Sequence, residues 1–195
     1  MSSPTVAFRE AVRGLNREKK AAYRDAWKRR GEILSIVANI ARKVDRVQYV
    51  LDGAPSTAEE TVIDTAIDLF IYCLKYQTFL ADLDGSAAAR LFGKTGVRGP
   101  YSDGTEGFEQ LLPQANLGGL DAAGVTVRMA ASGVLSRFGE LEACFSGLDA
   151  RQSAVVRLHH AEAVTEAAIR LIGTLRQDHS SSYRQFFASR GVGSE

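Results

Sequence analysis

Thr57–Leu83, TAEETVIDTAIDLFIYCLKYQTFLADL, decides how the rest of the chain is read. Val62, Ile63, Ala66, Ile67, Phe70, Cys73 and Leu74 recur at intervals of three and four, the spacing that lines one face of an α-helix. Ser56 or Thr57 is expected to cap it, with Glu59 or Glu60 as the acidic partner three residues on. Asp64, Asp68, Lys75 and Asp82 interrupt the apolar run, so it is not read as a membrane span.

Working outward, Asp52-Gly53-Ala54-Pro55 is turn chemistry that ends a preceding helix over about 32–51. Its apolar side comprises Ile33, Ile36, Val37, Ile40, Val44, Val47 and Val50. Before it, residues 5–30 read as a first helix, with a break at Gly31. After Leu83 the stretch 85–107 reads as a Gly/Ser-rich connecting loop. Helices follow at about 109–114, 122–145, 149–177 and 181–189. Val125-Thr126-Val127 has strand-like composition, but Val127, Ala131, Val134, Phe138 and Leu141 keep helical spacing.

The expected fold is therefore all-α, an antiparallel helical bundle with an N-terminal helical region (1–84) and a C-terminal one (108–195). Glu60–Leu69 and Glu162–Leu171 match at five of ten positions, which raises the alternative of two related helical hairpins in one chain. The wide apolar face of the third helix predicts a homodimer, unless the second half covers that face within one chain.

With 195 residues, 45% of them hydrophobic, the chain can bury a core without disulfides. Cys73 and Cys144 sit in apolar helical patterns and read as reduced core thiols. Charges fall in Met1–Arg13 where a leader's apolar stretch would lie, so a cytoplasmic protein is expected. The net charge of +1 conceals an asymmetry: Met1–Arg46 carries twelve Lys or Arg and five acids, +7, leaving −6 for the remainder. Such a basic segment serves phosphates, nucleic acid or an acidic partner, or is a solvated helix face.

Glu60, Asp64 and Asp68, at i, i+4 and i+8, form a stripe bordering the apolar arc. Carboxylates there suit a hard cation such as Mg²⁺, with Glu32 as a further ligand, or else they form an acidic flank paired with neighbouring bases. Lys20, Tyr23 and Trp27 share one face of the first helix, a lysine for phosphate and aromatics for a base, or else core anchors. Lys43 and Arg46 are candidate phosphate ligands on the second.

The run Lys20-x-x-Tyr23-x-x-x-Trp27, then Lys43-x-x-Arg46, then Glu60-x-x-x-Asp64-Thr65-x-x-Asp68-Leu69-x-x-Tyr72 resembles the all-α nucleotide modification associated domain proteins of phages and bacteria. More distantly it resembles the MazG-type all-α nucleoside triphosphate pyrophosphatases. The resemblance spans about residues 19–83 and implies a nucleotide partner, Mg²⁺ as cofactor, and hydrolysis by a water that attacks phosphorus. The sequence departs from these patterns at Arg24, where family members have Gly, and in having only Glu32 where an acidic pair precedes. Those departures imply a single-metal or metal-free nucleotide site.

Gly93-Lys94-Thr95 lacks the upstream Gly and the strand of a phosphate loop. Adjacent His159 and His160 diverge on a helix and do not chelate together. The competing expectation is a non-enzymatic helical module that docks an acidic partner through its basic first helix. Nucleic acid is the less favoured version of it, because aromatics are sparse there.

Overall fold

The computed structural model describes residues 4–52, 61–121, 124–146 and 152–188. Among them lie eight α-helices and no strand: α1 (Pro4–Tyr23), α2 (Ala38–Leu51), α3 (Val62–Leu83), α4 (Gly85–Phe92), α5 (Glu106–Leu111), α6 (Val127–Ala143), α7 (Ala154–Asp178) and α8 (Ser180–Ala188). The all-α bundle expected from the sequence is the fold observed.

α3 is its axis. Its start is fixed by Thr61, whose hydroxyl accepts from the Asp64 N–H at 3.2 Å while the Asp64 carboxylate accepts from the Thr61 N–H at 3.0 Å. Such a reciprocal cap is worth about 1 kcal/mol. The cap thus falls on Thr61, inside the helix expected from the sequence; Ser56, Thr57, Glu59 and Glu60 lie outside the described residues. Ile63, Ala66, Ile67, Leu69, Phe70, Cys73 and Tyr76 are all fully buried, so apolar contacts surround α3 on most of its circumference.

α7 supplies much of that cover. Ile63, at the start of α3, lines a small apolar cavity with Leu171 and Leu175, near the end of α7. Gln77, near the end of α3, donates to the Thr165 hydroxyl at 2.9 Å. The two helices therefore run antiparallel, and the described parts of the two similar segments, Val62–Leu69 and Glu162–Leu171, lie on these neighbouring helices. The second half covers α3 within one chain. One continuous core extends from Phe8 to Phe187, so the N- and C-terminal helical regions share their interior. Cys73 and Cys144 are both buried and unbridged. No described helix is long and apolar enough to cross a membrane.

The stretch 85–107 is not loop throughout, as the sequence reading had it. Asp84 accepts from the N–H groups of Ser86 at 2.8 Å and Ala87 at 3.0 Å, and the run Ala87-Ala88-Ala89 then propagates α4. Thr126 likewise caps α6, accepting from the Met129 N–H at 3.3 Å, and this places Val127 in helix rather than strand.

Two departures near the N-terminus shape the site. α1 stops at Tyr23, not at Arg30, because Arg24 turns to φ +50°, followed by a single 3-10 turn at Ala26–Lys28. Gly31, at φ +80°, then turns the chain back. Beyond it Glu32–Val37 forms a π-helical turn before α2. The wider turn rotates the expected apolar side: Ile33 and Leu34 face outward at 53% and 73% exposure, while Glu32 and Ser35 are buried.

Candidate functional site

The bend from Tyr23 to Gly31, the π-helical turn with α2, and one face of α3 enclose an open cleft of about 910 Å³. α2 contributes Asn39, Arg42, Lys43 and Arg46, spaced i, i+3, i+4 and i+7, continuing the line of Ser35. α3 contributes Asp68, Ile71, Tyr72 and Lys75 at the same intervals. The bend supplies Tyr23, Arg24, Trp27, Arg29 and Arg30, and the end of α1 adds Lys19. Among the described residues the lining thus holds eight Lys or Arg against one acid, Asp68.

The bend is pinned by contacts outside the cleft. Lys28 donates to the Ser102 hydroxyl at 2.7 Å and pairs with Asp103. Ser102 in turn is held by Asp82, which accepts from its backbone N–H at 2.9 Å. Arg30 is fixed through its own N–H, which donates to Ser35 Oγ at 2.9 Å. Among the described residues, the side chains of Arg24, Arg29 and Arg30 have no acidic partner, and Arg42 donates only to the Asn39 side chain. Four exposed guanidinium groups so placed give the cleft a positive potential that attracts an anion.

At the floor, Trp27 is 6% exposed and Lys75 Nζ lies 4.7 Å from its ring centroid. Tyr72 flanks the same ammonium at 5.9 Å. Burial pushes Lys75 down from its ordinary 10.5 to about 8, and the nearby charges of Lys20 and Lys19 push the same way.

The residues singled out in the sequence divide into three groups. Tyr23, Trp27, Lys43, Arg46 and Asp68 meet in the cleft. Lys20 is absent from the lining, its ammonium paired with Asp25, whereas Lys19 and Lys75 line the cleft. The three described carboxylates, Glu32, Asp64 and Asp68, each have a partner elsewhere. Asp64 is occupied in the α3 cap. Glu32 is 4% exposed and bound to Arg157 in the core, turned there by the π-helical turn. Glu60 lies outside the described residues. Asp68 is held by Lys19 and, at 3.0 Å, by Lys43. Among the described residues no three His, Cys, Asp or Glu side chains come together to hold a metal ion. Glu32, Asp64 and Asp68 do not by themselves fit a divalent ion.

Sequence reasoning missed Arg24, Arg29, Arg30, Arg42, Lys19 and Lys75. For Lys75 a signal was present: Asp68, Tyr72 and Lys75 share one face of a helix. Arg24 had none apart from the Gly that the resembled proteins have there. Its left-handed φ costs a non-glycine residue roughly 1–2 kcal/mol. Arg24→Gly is expected to raise stability by about 0.5–1 kcal/mol, after allowing for glycine's greater freedom in the unfolded chain. Anion affinity should fall several-fold in the same variant. Thermal unfolding and calorimetric titration check the two effects separately; unchanged affinity would remove Arg24 from the site.

Compared with known proteins, the chain matches no family model, no curated protein and no solved structure.

Proposed function

We propose that the cleft binds a nucleoside polyphosphate, its arginines and lysines taking the phosphates and Trp27 with Tyr72 taking the base. The observation that carries this reading is the excess of cations over carboxylates, among the described residues, in a cleft that also holds three aromatic rings, those of Tyr23, Trp27 and Tyr72. Its volume of about 910 Å³ falls within the range of small-molecule sites. A phosphate group carries between about one and two negative charges, so a triphosphate matches the four arginines that lack an acidic partner. The resemblance to nucleotide-processing helical proteins supports the same ligand class.

Mg²⁺-dependent removal of pyrophosphate is the reaction the resemblance implies. In this reading Mg²⁺ arrives with the phosphates, and the cleft side chains bind, orient and neutralise them. A second reading takes the same cations as a dock for an acidic protein segment. The exposed Ile33 and Leu34 beside them favour it, because they offer apolar contact area.

Calorimetric titration with nucleoside triphosphates, with Mg²⁺ and with EDTA, while released phosphate and pyrophosphate are assayed, separates these readings. Saturable one-to-one binding that weakens with salt supports the nucleotide. No heat with any nucleotide favours the acidic partner.

The buried lysine adds a proton-linked prediction. At pH 8.5 Lys75 is largely neutral in the free protein, and an arriving phosphate should restore its proton. Titrations in buffers of different ionisation enthalpy should therefore record net proton uptake on binding, abolished by Lys75→Met. The sign for stability is the opposite of the usual lysine ion pair. The folded-state value lies below the unfolded one, so the penalty of burying the charge is full below pH 8 and is relieved towards 10.5.

A further inference from the structure

Among the described residues Asp68 is the one acid lining the cleft, and it is only 8% exposed. Each of its carboxylate oxygens meets a different lysine. Lys19 of α1 holds Oδ1, and Lys43 of α2 holds Oδ2 at 3.0 Å. Both lysines also line the cleft. Two oxygens bridging two ammonium groups is the arrangement that two oxygens of a phosphate would make. Meanwhile an acid in a cleft otherwise lined by cations repels any anionic ligand, so attracting one is not its contribution.

Resting on the polyphosphate reading above, we propose that the Lys19–Lys43 pair is the seat of a ligand phosphate, and that Asp68 is a built-in occupant which competes for it. Without ligand, the carboxylate ties α1, α2 and α3 together at this seat. With ligand, a phosphate takes over the two ammonium groups, and affinity is set lower than the cations alone would give. The Mg²⁺-stripe expectation assigns Asp68 the opposite role: there it helps to recruit the ligand.

The two roles differ in sign. Asp68→Asn keeps the side chain's shape and removes its charge. Calorimetric titration with inorganic tripolyphosphate in EDTA should give about tenfold tighter binding in this variant than in the wild type. Orthophosphate should gain less, because the Coulomb benefit scales with ligand charge. The free variant should melt lower than the wild type, and tripolyphosphate should raise its melting temperature by more. Equal or weaker tripolyphosphate binding in the variant overturns the proposal. Should Asp68→Asn not fold, Lys43→Gln serves instead, with binding expected to weaken about tenfold and unchanged binding overturning the seat. Failure of the underlying reading is distinguishable: in that case neither tripolyphosphate nor ATP binds the wild type or the variant.

Discussion

Glu32→Ala is expected to cost about 3–5 kcal/mol of stability, the price of leaving a guanidinium buried without its counter-charge. Glu32 and Arg157 are each 4% exposed, and Arg157 Nε donates to Glu32 Oε1 at 2.9 Å. The Tyr76 hydroxyl donates to the same oxygen, and Arg157 also donates to the Gln152 carbonyl. Burial pushes the Tyr76 phenol well up, which keeps it a donor. Against a typical total of about 5–15 kcal/mol, the loss is severe. Thermal unfolding followed by circular dichroism should show a fall of roughly 10 °C or more. Glu32→Met with Arg157→Met should recover much of it, since apolar replacement of a whole buried pair is often neutral. A loss below about 1 kcal/mol would mean the pair is solvated. Glu32 does not line the cleft, so the folded fraction of Glu32→Ala should bind ligand as the wild type does. Under the metal expectation it would not.

The second large effect concerns binding. Arg30→Glu with Arg42→Glu is expected to weaken triphosphate binding by at least about a hundredfold. Two charges about 6 Å apart at an effective dielectric of about 20 interact by roughly 3 kcal/mol, and each reversal turns that attraction into repulsion. Even after screening, a tenfold loss per site is a conservative expectation. Neither side chain has an acidic partner among the described residues, so the fold should tolerate the change. Unaltered melting with lost binding is the diagnostic pair; unaltered binding would place the ligand elsewhere.

The fold was legible because helical periodicity is local. The face of α3 from Ile63 to Leu74 can be read from spacing alone, and so can the pair Lys43 and Arg46 on α2. What could not be read was conformational or distant. Apart from the Gly that the resembled proteins have there, nothing in the sequence marks Arg24 for a left-handed turn that ends α1 early. Nor does it mark the π-helical turn that sends Ile33 outward and Glu32 inward. Glu32 was expected at a metal site because it stands where the pyrophosphatase pattern has an acidic pair, whereas its partner Arg157 lies 125 residues away in sequence. Asp68 looked like one of three equivalent carboxylates, yet Lys19 and Lys43 reach it from two other helices. The basic segment was correctly seen as a concentration of charge. Its arginines were not seen as walls of one cleft, because the bend that gathers them depends on Arg24 and Gly31.

The most direct test uses Trp27, the sole tryptophan of the chain, buried in the cleft beneath Lys75. Nucleoside triphosphate is titrated while the tryptophan emission is recorded, in the wild type and in Arg30→Glu with Arg42→Glu. A saturable change in the wild type, absent from the double variant, is the result expected if the cleft binds nucleotide. An emission indifferent to nucleotide, with no heat of binding in parallel calorimetry, would contradict it.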